Sequence, residues 1–228
     1  MKTIIYVDGY NLYYGRLRNT AFKWLDIRRL LVDGILKPQS PQAVVTRLKF
    51  FTSDTKTRFA SQGPVSQKSQ QDYHRALQLL YPSEIEIIKG FYSVEKANLP
   101  RFVEPPDNDD RAEVWRLEEK QTDVNIALHA YRDVVRGSAD QVVLVSNDSD
   151  LEPALHFIRH DLGGAVKVGL IIPVEPPSGR GNRRPANGRL NKYADWTRRY
   201  IRDDELSVSL LPDVVPTRKK PIRRPEYW

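Results

Sequence analysis

Apolar residues in this chain follow two alternating patterns: short β-branched runs, and longer stretches with apolar residues at helical spacing. The short runs predict strands at residues 3–7, 43–52, 84–92, 141–146 and 165–172. The longer stretches predict helices at residues 10–18, 26–36, 66–81, 123–136 and 149–160. Strands that alternate with helices are typical of a parallel sheet with helices on both faces, so the pattern predicts an α/β fold.

Two regions depart from this alternation. Apolar residues on either side of the turn sequence PPDNDD predict a hairpin inserted at residues 93–118. After Pro173 the pattern predicts a loop at 178–188, a helix at 191–201 whose Trp196 packs on the core, and an extended tail at 214–228. The sequence therefore predicts a domain at residues 1–173 and a basic C-terminal extension at residues 174–228.

Charge and composition narrow the class of protein. The 228 residues carry a formal net charge of +7, which indicates a polyanionic partner. The chain has no cysteine, which excludes disulfides, thiolate zinc sites and cysteine catalysis and is consistent with a reducing compartment. The N-terminal apolar run is too short for a signal peptide, and no segment approaches the roughly 20 apolar residues of a membrane span. We therefore expect a soluble, cytoplasmic protein.

Carboxylates occur where several of the predicted elements meet. Asp8 directly follows the first strand, and Asp148 and Asp150 follow the strand at 141–146. Asp123 begins the helix at 123–136, and Glu119 lies close before it. Because ligands of parallel α/β sheets bind outside the carboxyl ends of the strands, we expect these acids to lie at one edge.

Carboxylates gathered at one edge raise one another's pKa values unless a cation lies between them. Mg²⁺ and Mn²⁺ prefer such oxygen ligands, and they activate water and neutralise charge on a phosphodiester. Each acid also has a simpler explanation as a helix cap, which applies above all to Asp123 and Asp150. A DxD pair alone occurs in several enzyme classes, but DGYN after the first strand argues against an aspartyl phosphatase.

Three segments together resemble the signature blocks of the NYN domain family, which belongs to the PIN-like nucleases. The segments are VDGYNLYYG, KQTDVNIALHAYRDVV and VVLVSNDSDLEPAL, within residues 3–172. The resemblance implies a three-layer α/β/α sandwich and metal-dependent ribonuclease activity. By position, Asp8 corresponds to the first-strand acid, Asn11 to the amide that orients a ligand or phosphate, Asp123 to the acid at a helix start, and Asp148 and Asp150 to the last acidic pair.

The resulting hypothesis is an endoribonuclease. Asp8, Asp123 and Asp148 would hold Mg²⁺ or Mn²⁺, Asp150 would be a further ligand or support, and Asn11 would support the site. The expected partner is RNA, single-stranded or structured, and no membrane is expected. Two alternatives remain open: a catalytically silent module that binds RNA or a nucleotide, and the same nuclease acting as a toxin or defence effector.

Basic residues concentrate in the region after the fifth predicted strand. Between Ser178 and Arg202 the chain has eight Lys or Arg residues and one acid, with aromatic residues interleaved. Arginines beside aromatic residues are typical of surfaces that contact phosphates and stack on bases. The candidates for nucleic-acid binding are Arg180, Arg183, Arg184, Lys192 and Arg198.

We expect replacement of Arg180, Arg183 and Arg184 by Ala to weaken RNA binding and to flatten its dependence on salt, because each phosphate contact releases counterions. Binding measured over a series of salt concentrations checks this. An unchanged slope would remove the three arginines from the interface.

Overall fold

The computed structural model of the protein describes residues 1–177 and 188–228. Its strands in chain order are β1 (Lys2–Asp8), β2 (Val44–Thr52), β3 (Ile85–Lys89), β4 (Phe91–Pro100), β5 (Arg111–Lys120), β6 (Gln141–Val145), β7 (Lys167–Ile171), β8 (Trp196–Arg198), β9 (Val214–Val215) and β10 (Ile222–Arg223). Six of them form one sheet in the order β3-β2-β1-β6-β7-β8, and all its neighbouring strands are parallel.

The helices connect these strands. They are α1 (Gly9–Leu12), α2 (Lys37–Gln39), α3 (Pro64–Leu80), α4 (Thr122–Val135), α5 (Glu152–Leu162), α6 (Gly188–Asn191) and α7 (Asp203–Ser207). Two π-helical segments lie beside them, Tyr13–Leu17 after α1 and Arg29–Leu36 before α2, and short 3₁₀ turns occur at Thr57–Phe59, Ser149–Leu151 and Gly163–Ala165. Within the described residues, no helix combines the length and apolar composition needed to cross a bilayer.

Both faces of the sheet are covered by helices. Side chains alternate along a strand, so Ile5 and Val7 of β1 pack with α3 and the 29–36 segment, whereas Ile4 and Tyr6 pack with α4 and α5. The predicted three-layer α/β/α sandwich with a parallel sheet is therefore confirmed. The chain reverses direction across the sheet between β1 and β6, which makes their carboxyl ends the topological switch point.

The predicted hairpin is confirmed as the antiparallel pair β4 and β5. The predicted strand at residues 84–92 is divided at Gly90 into β3 and the start of β4. A Cβ atom on Gly90 would lie 2.4 Å from the carbonyl oxygen of Lys120, so only glycine permits this close approach of the hairpin base.

The helix predicted at residues 191–201 is wrong. Residues 196–198 form β8, which pairs in parallel with β7 at the edge of the sheet. The indole of Trp196 packs over Gly169, where a Cβ atom would lie 2.2 Å from the ring. Tertiary pairing therefore overrides the apolar spacing of the local sequence. Trp196 is half-buried against the core, as the sequence predicts.

The extended tail predicted at residues 214–228 is also wrong. Strands β9 and β10 pair there, and Val215 and Ile222 are buried in the same core as Ile5. The ring of Trp228 lies 6.1 Å from that of Trp24 and 5.7 Å from that of Tyr73. The end of the chain is thus part of the packed core. The division of the chain at residue 173 stays a prediction.

His74 is a buried titratable group on α3. Its ring lies 5.8 Å from that of Phe50, and its Nδ1 has no hydrogen-bond partner within the described residues. Burial, aided by Lys89, lowers the pKa of His74 to about 4. The folded protein therefore holds this imidazole neutral at neutral and mildly acidic pH.

We expect His74→Leu to reduce the acid sensitivity of folding. The folded-state pKa lies below the ordinary value of 6.5, so the unfolded chain binds the extra proton and stability falls as pH drops from about 6.5 to 4. Thermal denaturation at pH 7.5 and pH 5 measures this, with the exposed His160→Leu as control. An equal fall in Tm for wild type and His74→Leu would contradict the assignment.

Candidate metal and nucleic-acid site

The end of β1 is a buried carboxylate with several hydrogen bonds. Asp8 is only 2% exposed. The backbone N–H of Asn11 donates to Asp8 Oδ1 at 2.9 Å, and the Asn11 side-chain Nδ2 donates to Oδ2 at 2.7 Å. Asp8 therefore caps α1, as the simpler explanation expects, while Asn11 clamps its other oxygen. Gly9 is required between them, since a Cβ atom there would lie 2.6 Å from the carbonyl oxygen of Phe51.

The end of β6 is joined to the end of β1. Ser146 Oγ donates to Asp8 Oδ2 at 2.8 Å, and the backbone N–H of Asn147 donates to Asn11 Oδ1 at 3.3 Å. The backbone N–H of Asp148 donates back to Ser146 Oγ at 3.1 Å. The N–H of Asp150 then donates to Asp148 Oδ1 at 3.1 Å, so Asp148 caps the short turn that follows. These bonds fix the positions of Asp8 and Asp148 on adjacent strands.

Asp123 lies in the first turn of α4 and is half-buried. Burial, together with the charges of Asp8, Asp148, Glu119 and Asp150, raises the pKa of Asp123 to about 7. Burial likewise raises the pKa of Asp8, against the opposing effect of its hydrogen bonds. The acids that the sequence places on three separate segments thus lie close enough to repel one another.

Glu119 is the fifth acid of this edge, at the end of β5. Ser53 Oγ donates to Glu119 Oε1 at 2.7 Å, and the Thr122 hydroxyl donates to the same oxygen. The serines at positions 53 and 146 are the site residues that sequence reasoning missed. Each directly follows a buried run at the carboxyl end of a strand, which is the signal that could have found them.

The acids at this edge lack a cationic partner among the residues that the structure describes. In the part of the chain that the structure describes, no Lys or Arg forms an ion pair with any of these acids. Elsewhere the fold does neutralise a buried acid: Asp133 pairs with Lys49 at 2.5 Å on one face of the sheet. At the switch point, by contrast, the described residues gather several acids without such a partner. We define the acidic edge as Asp8, Glu119, Asp123, Asp148 and Asp150.

The donor set suits a hard divalent cation, because every ligand atom offered is a carboxylate oxygen. Within residues 1–177 and 188–228, no three Asp, Glu or His side chains already stand in the arrangement of a bound ion. Side-chain rotation or bridging waters would complete the coordination, as is usual for Mg²⁺. The ligand atoms thus suit such an ion. Hydrogen bonds hold Asp8 and Asp148 in place, and a bound cation would favour the charged form of Asp123, whose pKa is raised.

The candidates for nucleic-acid binding divide into three groups. Arg180, Arg183 and Arg184 lie outside the described residues. Lys192 is exposed, and its Nζ lies 3.7 Å from Glu152 Oε1 near the start of α5. Arg198 is half-buried and pairs with Glu205 at 2.5 Å, while its Nε donates to the carbonyl of Tyr200. Its guanidinium is thus engaged in the fold.

The sequence matches the NYN domain over residues 2–180. The chain belongs to the NYN domain family. This confirms the resemblance drawn from the three sequence blocks, and the matched region contains all five acids of the edge together with the hairpin.

Two further proteins are similar to this NYN protein. A curated relative from Pseudomonas putida, named 6-hydroxy-3-succinoylpyridine 3-monooxygenase HspA, is 39% identical over an alignment that covers 100% of this chain and 75% of the relative. A solved structure of a protein of unknown function from Vibrio parahaemolyticus is 20% identical, with a TM-score of 0.46 over 92% of this chain and 96% of that one.

We expect Asp123→Asn to stabilise the metal-free protein at alkaline pH. The folded pKa of about 7 lies above the ordinary value of 3.8, so stability is lost as pH rises through this range and the charged carboxylate forms. The gain in Tm should be largest at pH 8 and should vanish near pH 4, measured in EDTA. Asp109→Asn in the exposed hairpin turn is the control. A pH-independent effect would contradict the raised pKa of Asp123.

Proposed function

We propose that this NYN protein is a metal-dependent endoribonuclease that hydrolyses RNA phosphodiester bonds at the acidic edge. The proposal rests on one observation: burial and four other acids at the switch point of the sheet together raise the pKa of Asp123. Such perturbed groups cluster at functional sites, and a bound cation relieves the repulsion between carboxylates gathered in one place. Family membership and the net charge of +7 support a phosphodiester substrate.

The residues then have distinct roles. Asp8, Asp123 and Asp148 would hold Mg²⁺ or Mn²⁺, which supplies an activated water and neutralises charge on the phosphate. Asn11 and Ser146 position Asp8 by donating hydrogen bonds to its carboxylate. Asp150 and Glu119 add negative charge beside Asp123 and would bind through waters or a further ion. Arg180, Arg183, Arg184 and Lys192 would contact the phosphates that flank the bond to be cut.

The name of the Pseudomonas putida relative favours a second candidate function, hydroxylation of a pyridine. A monooxygenase inserts one atom of O₂ into its substrate and reduces the other to water with two electrons from a reductant. The turn after β1 is Asp-Gly-Tyr-Asn, whereas dinucleotide-binding sheets have a glycine-rich GxGxxG turn there. Incubation with 6-hydroxy-3-succinoylpyridine, O₂ and a reduced nicotinamide tests this candidate directly through the hydroxylated product.

The nuclease is tested with mixed RNA and DNA oligonucleotides in Mg²⁺, in Mn²⁺ and in EDTA. We expect RNA to be cleaved only with the metal present. We expect Asp148→Asn to lower the cleavage rate about a hundredfold or more, because a direct metal ligand contributes several kcal/mol to the transition state. Binding of RNA without cleavage in any metal would favour the catalytically silent module.

Asp107→Asn is a matched control for Asp148→Asn. Asp107 Oδ1 accepts a hydrogen bond from the N–H two residues later, as Asp148 Oδ1 does, and both bonds survive replacement by Asn. Asp107 lies in the hairpin turn beyond the last strand pair, Pro100 with Arg111, whereas Glu119 lies eight residues nearer the base of the hairpin. Wild-type cleavage by Asp148→Asn in Mn²⁺ would remove Asp148 from the metal site.

A further inference from the structure

Tyrosine rings lie directly beside the acidic edge. The Tyr10 ring stacks on Tyr14 with centroids 6.2 Å apart and meets Tyr92 edge-on at 5.8 Å. Tyr10 follows Asp8 by two residues, and Tyr92 is paired with Glu119 across the hairpin. Tyr14 is 54% exposed. An exposed aromatic surface therefore begins at the acids themselves.

The hairpin extends this surface. Tyr92 and Trp115 lie on the same face, because Trp115 is paired with Lys96, four residues after Tyr92. Four residues along a strand span about 13 Å. Trp115 is 51% exposed, and its ring meets Phe59 edge-on at 6.0 Å. Phe59 belongs to the segment after β2. This part of the aromatic surface therefore lies at the same edge of the sheet as the acids.

A guanidinium lies over each exposed end of this surface. The Cζ atom of Arg58 is 4.4 Å from the centroid of the Trp115 ring, and that of Arg18 is 5.4 Å from the Tyr14 ring. Within the described residues neither arginine forms an ion pair. Two of the acids on the hairpin strands have ion pairs of their own: Glu113 pairs with Lys96, and Glu118 with Arg116 and Lys120. Positive charge thus stands free beside the rings.

We propose that Tyr14, Tyr10, Tyr92 and Trp115 form an aromatic track that binds an unpaired strand of RNA and leads it to the acidic edge. The inference rests on the proposed function, since it names the substrate class of that site. Bases stack on exposed aromatic faces only when they are not already paired and stacked in a duplex. Arg18 and Arg58 are placed to contact the phosphates between the stacked bases.

A second copy of the chain is the competing occupant of this surface. The cores of protein interfaces are enriched in aromatic residues and Arg but depleted of Asp and Glu. The rings and their guanidinium groups alone suit either occupant, whereas the track ends at the carboxylates of the acidic edge. These features favour a ligand with planar faces and a phosphate backbone.

The test measures binding in EDTA with Asp148→Asn as the parent, so that cleavage plays no part. The probe is a fluorescent 15-nucleotide single-stranded RNA, compared with the same sequence as a duplex. We expect Trp115→Ala and Tyr14→Ala each to weaken single-strand binding about tenfold with no change in salt dependence. Trp115→Phe and Tyr14→Phe, which keep a ring, should restore most of the affinity.

Arg58→Ala should instead flatten the salt dependence, lowering the slope of log affinity against log salt by about 0.7. Phe102→Ala is the matched control, because Phe102 lies in the same hairpin, is 93% exposed and lies outside the paired strands. Unchanged affinity of the Trp115→Ala and Tyr14→Ala variants, or equal affinity for the duplex, would overturn the track.

Two further outcomes separate this proposal from the proposed function. If wild type binds single-stranded RNA through Trp115 but never cleaves it in metal, the track stands and the nuclease fails. If wild type cleaves RNA while Trp115→Ala and Tyr14→Ala bind as the parent does, the track fails alone. If wild type forms dimers that the Trp115→Ala substitution dissociates, and if it does not bind RNA, the surface is an interface with a second copy of the chain.

Discussion

The buried carboxylate of Asp8 is the constraint around which the rest of the site is arranged. A carboxylate that is 2% exposed is costly to bury unless its oxygens are satisfied. Asn11 supplies two donors from the first turn of α1, and Ser146 supplies one from the end of β6. One side chain therefore holds together the two strands at the switch point and the first helix. In the Asp-Gly-x-Asn sequence, Asp8 caps the first helix and the side chain of Asn11 holds the second oxygen of Asp8.

The distribution of charge in the protein distinguishes the acidic edge around Asp8 from the rest of the sheet. A chain with a net charge of +7 has many cations available, and it uses Lys49 to neutralise Asp133 between the sheet and α4. At the acidic edge, in the part of the chain described, no such partner is supplied. Like charges held close together lower the stability of the folded protein, and functional sites often lower stability in this way because their activity depends on such an arrangement. An external cation would relieve the repulsion that, together with burial, raises the pKa of Asp123.

The sequence predicted the elements whose signals are local. The first strand, the turn after it and the acids at strand ends all depend on a few neighbouring residues, and the structure places them as expected. The prediction of a helix at 191–201 is wrong because an apolar residue such as Trp196 is compatible with either a helix or a strand. Pairing with β7 selects the strand. The predicted extended tail is wrong because Trp228 packs, half-buried, against Trp24 and Tyr73, which are distant in sequence. Ser146 was missed because its role depends on a hydrogen bond to Asp8, and the sequence alone does not show that the two residues are in contact.

One fold can support the chemistry of hydrolysis and that of oxygenation, so the donor atoms at the site must distinguish them. Non-haem iron oxygenases typically hold their metal with two histidines and one carboxylate. The acidic edge offers only carboxylates, and among the described residues no histidine joins three such ligands. His74 and His129 instead pack against Phe50 and Phe51 along the sheet. Oxygen donors without imidazole favour a hard ion and hydrolysis, and the exposed rings beside them favour a substrate whose bases can stack.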